Sequence, residues 1–202
     1  PVDTTQLPEA QAAQFHKLNL FQTNFKKWKR VVYLDCDILL LRNMQSLATL
    51  ETEGKLVVDG EDWPTGLASQ FAPTNAPALF EEVQREVEDI STPNFNTSSM
   101  IFDSDLITDD TFSSLVELLH KYQPILKNGD QPVINLHFYD RWKQLPPRTL
   151  GFFQAPDAAQ SIGLHFCNWN APWALDGTNI QSIWQNNLDS AEKASSLIKA
   201  AE

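Results

Sequence analysis

Arg30 to Arg42 reads RVVYLDCDILLLR, an almost continuous apolar run interrupted by Asp35 and Asp37. A run this short and this rich in Val, Ile and Leu reads as a buried strand of a parallel sheet. Carboxylates do not belong there without a reason, because two buried like charges cost several kcal/mol or take up protons. Residues i and i+2 of a strand point the same way, roughly 6 to 7 Å apart, so Asp35 and Asp37 face one space and Cys36 the other. A divalent cation with oxygen ligands removes their repulsion. The structural alternative makes one acid a cap and pairs the other with Arg42 or Lys29. Two acids on one strand face at a strand end suit a ligand site better.

Around this run the chain alternates helical and extended patterns. Phe15, Leu18, Phe21 and Phe25 predict an amphipathic helix, followed by a short basic turn. Lys55 to Asp59 predicts a second strand, and residues 60–75, with Trp63, Pro64, Gly66 and Pro73, an irregular loop of the kind that covers ligands. Pro77 opens a helix whose stripe runs through Leu79, Phe80, Val83, Val87 and Ile90, with acids on its solvated face. Asn94 to Asp103 is strand-like, with small polar residues where a ligand can come close. Asp109 or Asp110 is expected to cap the helix carrying Leu115, Leu119 and Tyr122. Another helix begins at Gly129 and Asp130, short strands follow at 142–145 and 163–166, and a closing helix begins near Ile180. This alternation indicates an α/β protein.

Composition narrows the partners. A formal charge of −11 over 202 residues argues against nucleic acid, or an anionic membrane surface, as a general partner, without excluding an anionic ligand held through a metal. No apolar stretch has the length of a membrane span, and the first 20 residues lack the pattern of a signal peptide. The chain is therefore expected to be soluble, and cytoplasmic rather than secretory. Cys36 and Cys167, its two cysteines, read as reduced core thiols. The first residue is Pro1, not Met, which leaves room for an upstream segment.

Four stretches then line up in order: YLDCDILLLRN (33–43), FNTSSMIFD (95–103), GDQPVIN (129–135) followed by WKQLP (142–146), and HFCNWNAPW (165–173). Together, from about Phe15 to Trp173, they resemble glycosyltransferase family 8, the glycogenin-like and galactosyltransferase-like retaining enzymes. The resemblance implies the nucleotide-diphospho-sugar transferase fold (GT-A, Rossmann-like), with the amino-terminal nucleotide-binding part short or missing. Residues 1–202 would then be a single glycosyltransferase-like domain or the carboxy-terminal portion of a longer one. It implies that Asp35 and Asp37 are the family's Asp-x-Asp, holding Mn2+ or another divalent cation on the donor diphosphate, and that His165 is the third protein ligand. A mixed N/O set of this kind suits Mn2+. Asn96 corresponds to a contact with the donor sugar or acceptor. Asp130 and Gln131 match the family's Asp-Gln pair facing the donor sugar, where they would stabilise an oxocarbenium-like centre and orient the acceptor hydroxyl.

The activity the resemblance implies is transfer of a hexose from a nucleotide-diphospho-sugar, a UDP-sugar, to a carbohydrate or protein hydroxyl. Residue by residue, plainer roles remain open: His165 as a core histidine, Asp130 as a helix cap, Trp169 and Trp173 as packing. The chain departs from the family at Asn168, where a Gly is usual, at Ala171, where a Lys usually neutralises the diphosphate, and at Ser98 and Ser99, where a Gly is common. The missing lysine and the short amino-terminal part favour a second reading, a diverged non-catalytic member that binds a carbohydrate or a protein, whereas the retained Asp-x-Asp, His and Asp-Gln favour the enzyme. An unrelated Asp-rich hydrolase or phosphatase accounts for Asp35 and Asp37 but not for the other three stretches.

Overall fold

A computed structural model of the chain describes residues 14–60, 66–152, 158–166 and 179–201. They group into two compact units, Pro1–Leu34 with Gln45–Leu145, and Asp35–Met44 with Pro146–Glu202.

The larger unit is built on a four-stranded mixed sheet of order β1-β4-β3-β5, formed by β1 (Arg30–Leu34), β3 (Leu56–Gly60), β4 (Phe95–Asp103) and β5 (Trp142–Gln144). β4 pairs antiparallel with β1 and β3, and β5 runs parallel to β3. The expectation of a buried parallel strand at 30–42 is thus corrected. Among the described strands β1 pairs with β4 alone, and Val32 stands 37% exposed. The apolar run also serves two strands in two sheets, because the chain turns at Asp35–Asp37 before β2 (Ile38–Leu40), with the Ile38 N–H donating to the Asp35 carbonyl at 3.2 Å. Cys36 lies in that turn and is exposed, not a core thiol.

The first apolar segment is 3-10 helix, in two pieces, His16–Phe21 and Thr23–Lys27, broken by extended Gln22. Phe15, Leu18 and Phe21 recur every three residues, the repeat of a 3-10 helix, and all three are buried. Phe21 stacks on Phe102 of β4 with ring centroids 5.1 Å apart. Each such buried side chain contributes roughly 1.5 to 3 kcal/mol. Among the described residues this unit also carries the α-helices α1 (Gln45–Ala48), α2 (Pro77–Glu86), α3 (Thr111–Tyr122) and α4 (Gln131–His137). α2 stops where Val87 becomes extended, short of the expected Ile90, although both residues still pack beside Val83 and Tyr122. Asp110 occupies the N-cap position of α3 without a side-chain capping bond; the Thr111 hydroxyl instead accepts the Thr108 N–H at 2.8 Å.

The smaller unit carries a three-stranded sheet of order β2-β7-β6, with β6 (Leu150–Phe152) and β7 (Gly163–His165), and a long helix α5 (Asn179–Ala201). β2 and β7 are antiparallel, β6 and β7 parallel. Leu39, Ala158, Leu164 and Phe166 form its core, with Leu41 and Trp184 packed against them.

Candidate active site

In the smaller unit, register creates the acidic cluster. Pairing of β2 with β7 sets Ile38 opposite His165, and the Phe166 N–H donates to the Asp37 carbonyl at 3.1 Å. His165 and Asp37 therefore face each other across adjacent strands, with Nε2 3.7 Å from Oδ1. Asp35, at the start of the turn, completes a group whose ligand atoms lie within 4.8 Å of one another. The carboxylates are not held on one strand face, as the i, i+2 spacing suggests, but by a turn. His165 is buried at 7% exposure and both acids are half-buried.

This arrangement fits a divalent cation. Two donors about 2.1 to 2.2 Å from one ion lie roughly 3 Å apart at right angles and 4.4 Å apart when opposed. The 3.7 Å between His165 and Asp37 falls inside that window, and two carboxylates with one imidazole form the mixed N/O set that suits Mn2+. Side-chain adjustment of a few tenths of an ångström closes the widest pair.

The other predicted residues belong to the larger unit. Between Val58 and Asp59 the pairing of β3 with β4 jumps from Met100 to Asn96, so Thr97, Ser98 and Ser99 bulge out of the ladder. There the Thr97 hydroxyl donates to the Asp130 carboxylate at 2.8 Å, and the Thr97 N–H to Oε1 of Gln131 at 3.3 Å. The Gln131 amide donates in turn to Gln70 at 2.9 Å. Asn96 turns its side-chain oxygen back to the Ser98 N–H at 2.7 Å. Asp130 stands in the N-cap position of α4 but makes no capping bond. Its partners include Thr97 and Lys17, whose ammonium lies 3.7 Å away. Gly129, at φ +56°, supplies the left-handed turn that delivers Asp130.

Three contributors went unread in the sequence. Lys17 sits on the first 3-10 segment, where only the apolar stripe drew notice, yet it binds both the Thr97 carbonyl, at 3.2 Å, and Asp130. Gln70 comes from the loop expected to cover a ligand. Asn135 stitches α4 to β4 by exchanging hydrogen bonds with the Phe95 backbone at 2.8 and 2.9 Å. Lys17 lies off the Phe15, Leu18 and Phe21 repeat, so neither it nor the amides gave a local signal. Trp63, Cys167, Asn168, Trp169, Ala171 and Trp173 lie outside the described residues.

The family model described as glycosyl transferase family 8 matches residues 4–174. The chain belongs to this family. A curated relative, the glycosyltransferase GlyB of Streptococcus pneumoniae serotype 4 (strain ATCC BAA-334 / TIGR4), is 29% identical over 143 residues, covering 70% of this chain and 29% of GlyB. The chain thus spans less than a third of that relative's length. Among solved structures, the galactosyltransferase LgtC, in complex with donor and acceptor sugar analogues, matches 92% of this chain and 68% of its own at TM-score 0.61 and 14% identity. GlyE of Streptococcus pneumoniae TIGR4 matches 90% of this chain and 43% of its own at TM-score 0.59 and 16% identity. The fold is accordingly the GT-A α/β fold of family 8 glycosyltransferases.

Proposed function

We propose that the chain carries the catalytic centre of a metal-dependent retaining glycosyltransferase, which transfers a hexose from a UDP-sugar to a hydroxyl of a carbohydrate or protein. The observation that carries this reading is the convergence of Asp35, Asp37 and His165 within 4.8 Å in a chain of this family. Asp35 and Asp37 would bring anionic oxygen and His165 a neutral nitrogen to a single divalent ion. Bound there, the cation supplies Lewis-acid stabilisation to the leaving diphosphate.

The larger unit's residues have a separate task in this reading. Asp130, fixed by Thr97 and Lys17, offers an oriented carboxylate to positive charge developing on the donor sugar. Gln131, fixed by Gln70, presents an amide that does not reorient during reaction and orients the acceptor hydroxyl. Asn96 is assigned to contact with the donor sugar or acceptor.

Calorimetric titration with UDP, with and without Mn2+, tests the reading on wild type and Asp37→Ala. Mn2+-dependent affinity in wild type, lost in the variant while the fold persists, is the expected result. A wild type blind to UDP under both conditions would leave the non-catalytic binding reading in its place.

A further inference from the structure

Charge is distributed unevenly along this acidic chain. Residues 10–34 hold five of the 15 lysines and arginines and none of the 26 acids. Four of the five lie in Lys26-Lys27-Trp28-Lys29-Arg30, where the second 3-10 segment gives way to β1. Lys26, Lys27, Trp28 and Lys29 are all exposed. The most exposed large apolar side chain among the described residues is here, Trp28 at 49%.

The patch is built rather than frayed. Trp28 leans on Phe25, with ring centroids 5.3 Å apart, and Phe25 packs against the core. The Lys27 ammonium lies 4.1 Å from the Trp28 ring centroid, so a cation and an indole are presented together. Lys26 is steadied by the Ile107 carbonyl at 3.0 Å, and the Lys29 carbonyl accepts the Ser104 N–H at 2.9 Å. Arg30 is spent on Asp103, which it meets at 2.9 Å, and exposed Asp105 follows Ser104, so the outward charge rests on the three lysines.

We propose that this patch is a docking surface for an anionic lipid bilayer. An indole on an apolar base, with Lys27 against its ring and Lys26 and Lys29 exposed beside it in the chain, matches a headgroup region in both charge and polarity gradient. The overall charge of −11 does not cancel the attraction, because at physiological salt only charges within about 8 Å act together. The proposal is independent of the transferase reading.

The test is sedimentation of the full chain with vesicles of phosphatidylcholine, alone or mixed with phosphatidylserine, in about 0.15 M and in about 0.5 M salt. Binding is expected only to the mixed vesicles and only at the lower salt. Lys27→Gln with Lys29→Gln should weaken it roughly 25-fold, at about fivefold per charge, and Trp28→Ala by about tenfold. Lys55→Gln with Lys127→Gln, which removes two exposed lysines elsewhere, should change it less than about threefold. Circular dichroism confirms that each variant is folded. Absence of binding to mixed vesicles, equal losses from the two lysine pairs, or tighter binding to a single-stranded oligonucleotide than to vesicles overturns the proposal.

Discussion

The acidic cluster of the smaller unit and the Asp130 network of the larger one handle buried charge in opposite ways. Around Asp130 each polar group named has a fixed protein partner: Thr97 and Lys17 hold the carboxylate, Gln70 holds Gln131, and Phe95 of β4 holds Asn135. At Asp35, Asp37 and His165 two carboxylates are brought together with one imidazole. The first arrangement stabilises the fold and preorganises its own groups. The second sets two carboxylates beside one imidazole, the donor set a cation site requires. Deletions should therefore affect stability oppositely in the two regions.

The largest change is expected from Asp130→Ala, which leaves the Lys17 ammonium and Thr97 hydroxyl, both little exposed, without their carboxylate. A loss of about 3 kcal/mol in urea unfolding follows from breaking a buried charged pair, and Asp130→Asn should recover part of it. A loss below about 1 kcal/mol would erase the contrast.

Next in size is a pH effect in the larger unit. Burial, reinforced by the Arg141 guanidinium, pushes the His137 imidazole down to about 4 from 6.5. The unfolded chain therefore takes up this proton first on acidification. Stability is fully present above pH 6.5 and falls as pH drops toward 4, by roughly 1 to 3 kcal/mol. In His137→Gln that slope should flatten, measured by denaturation across the interval; an identical slope assigns it to other groups. The Asp103 carboxyl, held below its usual 3.8 chiefly by Arg30, is lost at lower pH than this window.

Thr97→Val should cost about 1 to 1.5 kcal/mol through its hydrogen bond to Asp130. Smallest of all, Asp37→Ala should leave unfolding within about 0.5 kcal/mol of wild type, or raise stability slightly, by relieving like-charge repulsion. A loss above about 2 kcal/mol would make Asp37 a structural residue like Asp130.

The sequence made the two regions legible to different degrees. Strands β3, β4 and β7 and helices α3 and α4 follow from apolar periodicity and turn residues, because local pattern and tertiary burial agree there. Spacing groups Asp35 with Asp37, but His165 could be joined to them only through the family resemblance, since the β2–β7 register that brings it there is a long-range pairing no local pattern encodes. The apolar run 30–42 misled because strand pattern does not reveal which sheet a strand joins. Here a turn at Cys36 sends its two halves to different sheets. The Thr97–Ser99 bulge was foreshadowed by three small polar residues, but its link to Lys17 depends on packing across 80 residues of sequence.

The most direct test of the central claim is Mn2+ binding itself, followed by electron paramagnetic resonance without nucleotide. Wild type should bind one Mn2+ per chain, Asp37→Ala and His165→Ala should lose it, and Asp130→Asn should keep it. Equal Mn2+ binding in wild type, Asp37→Ala and His165→Ala would contradict the assignment of the metal to this cluster.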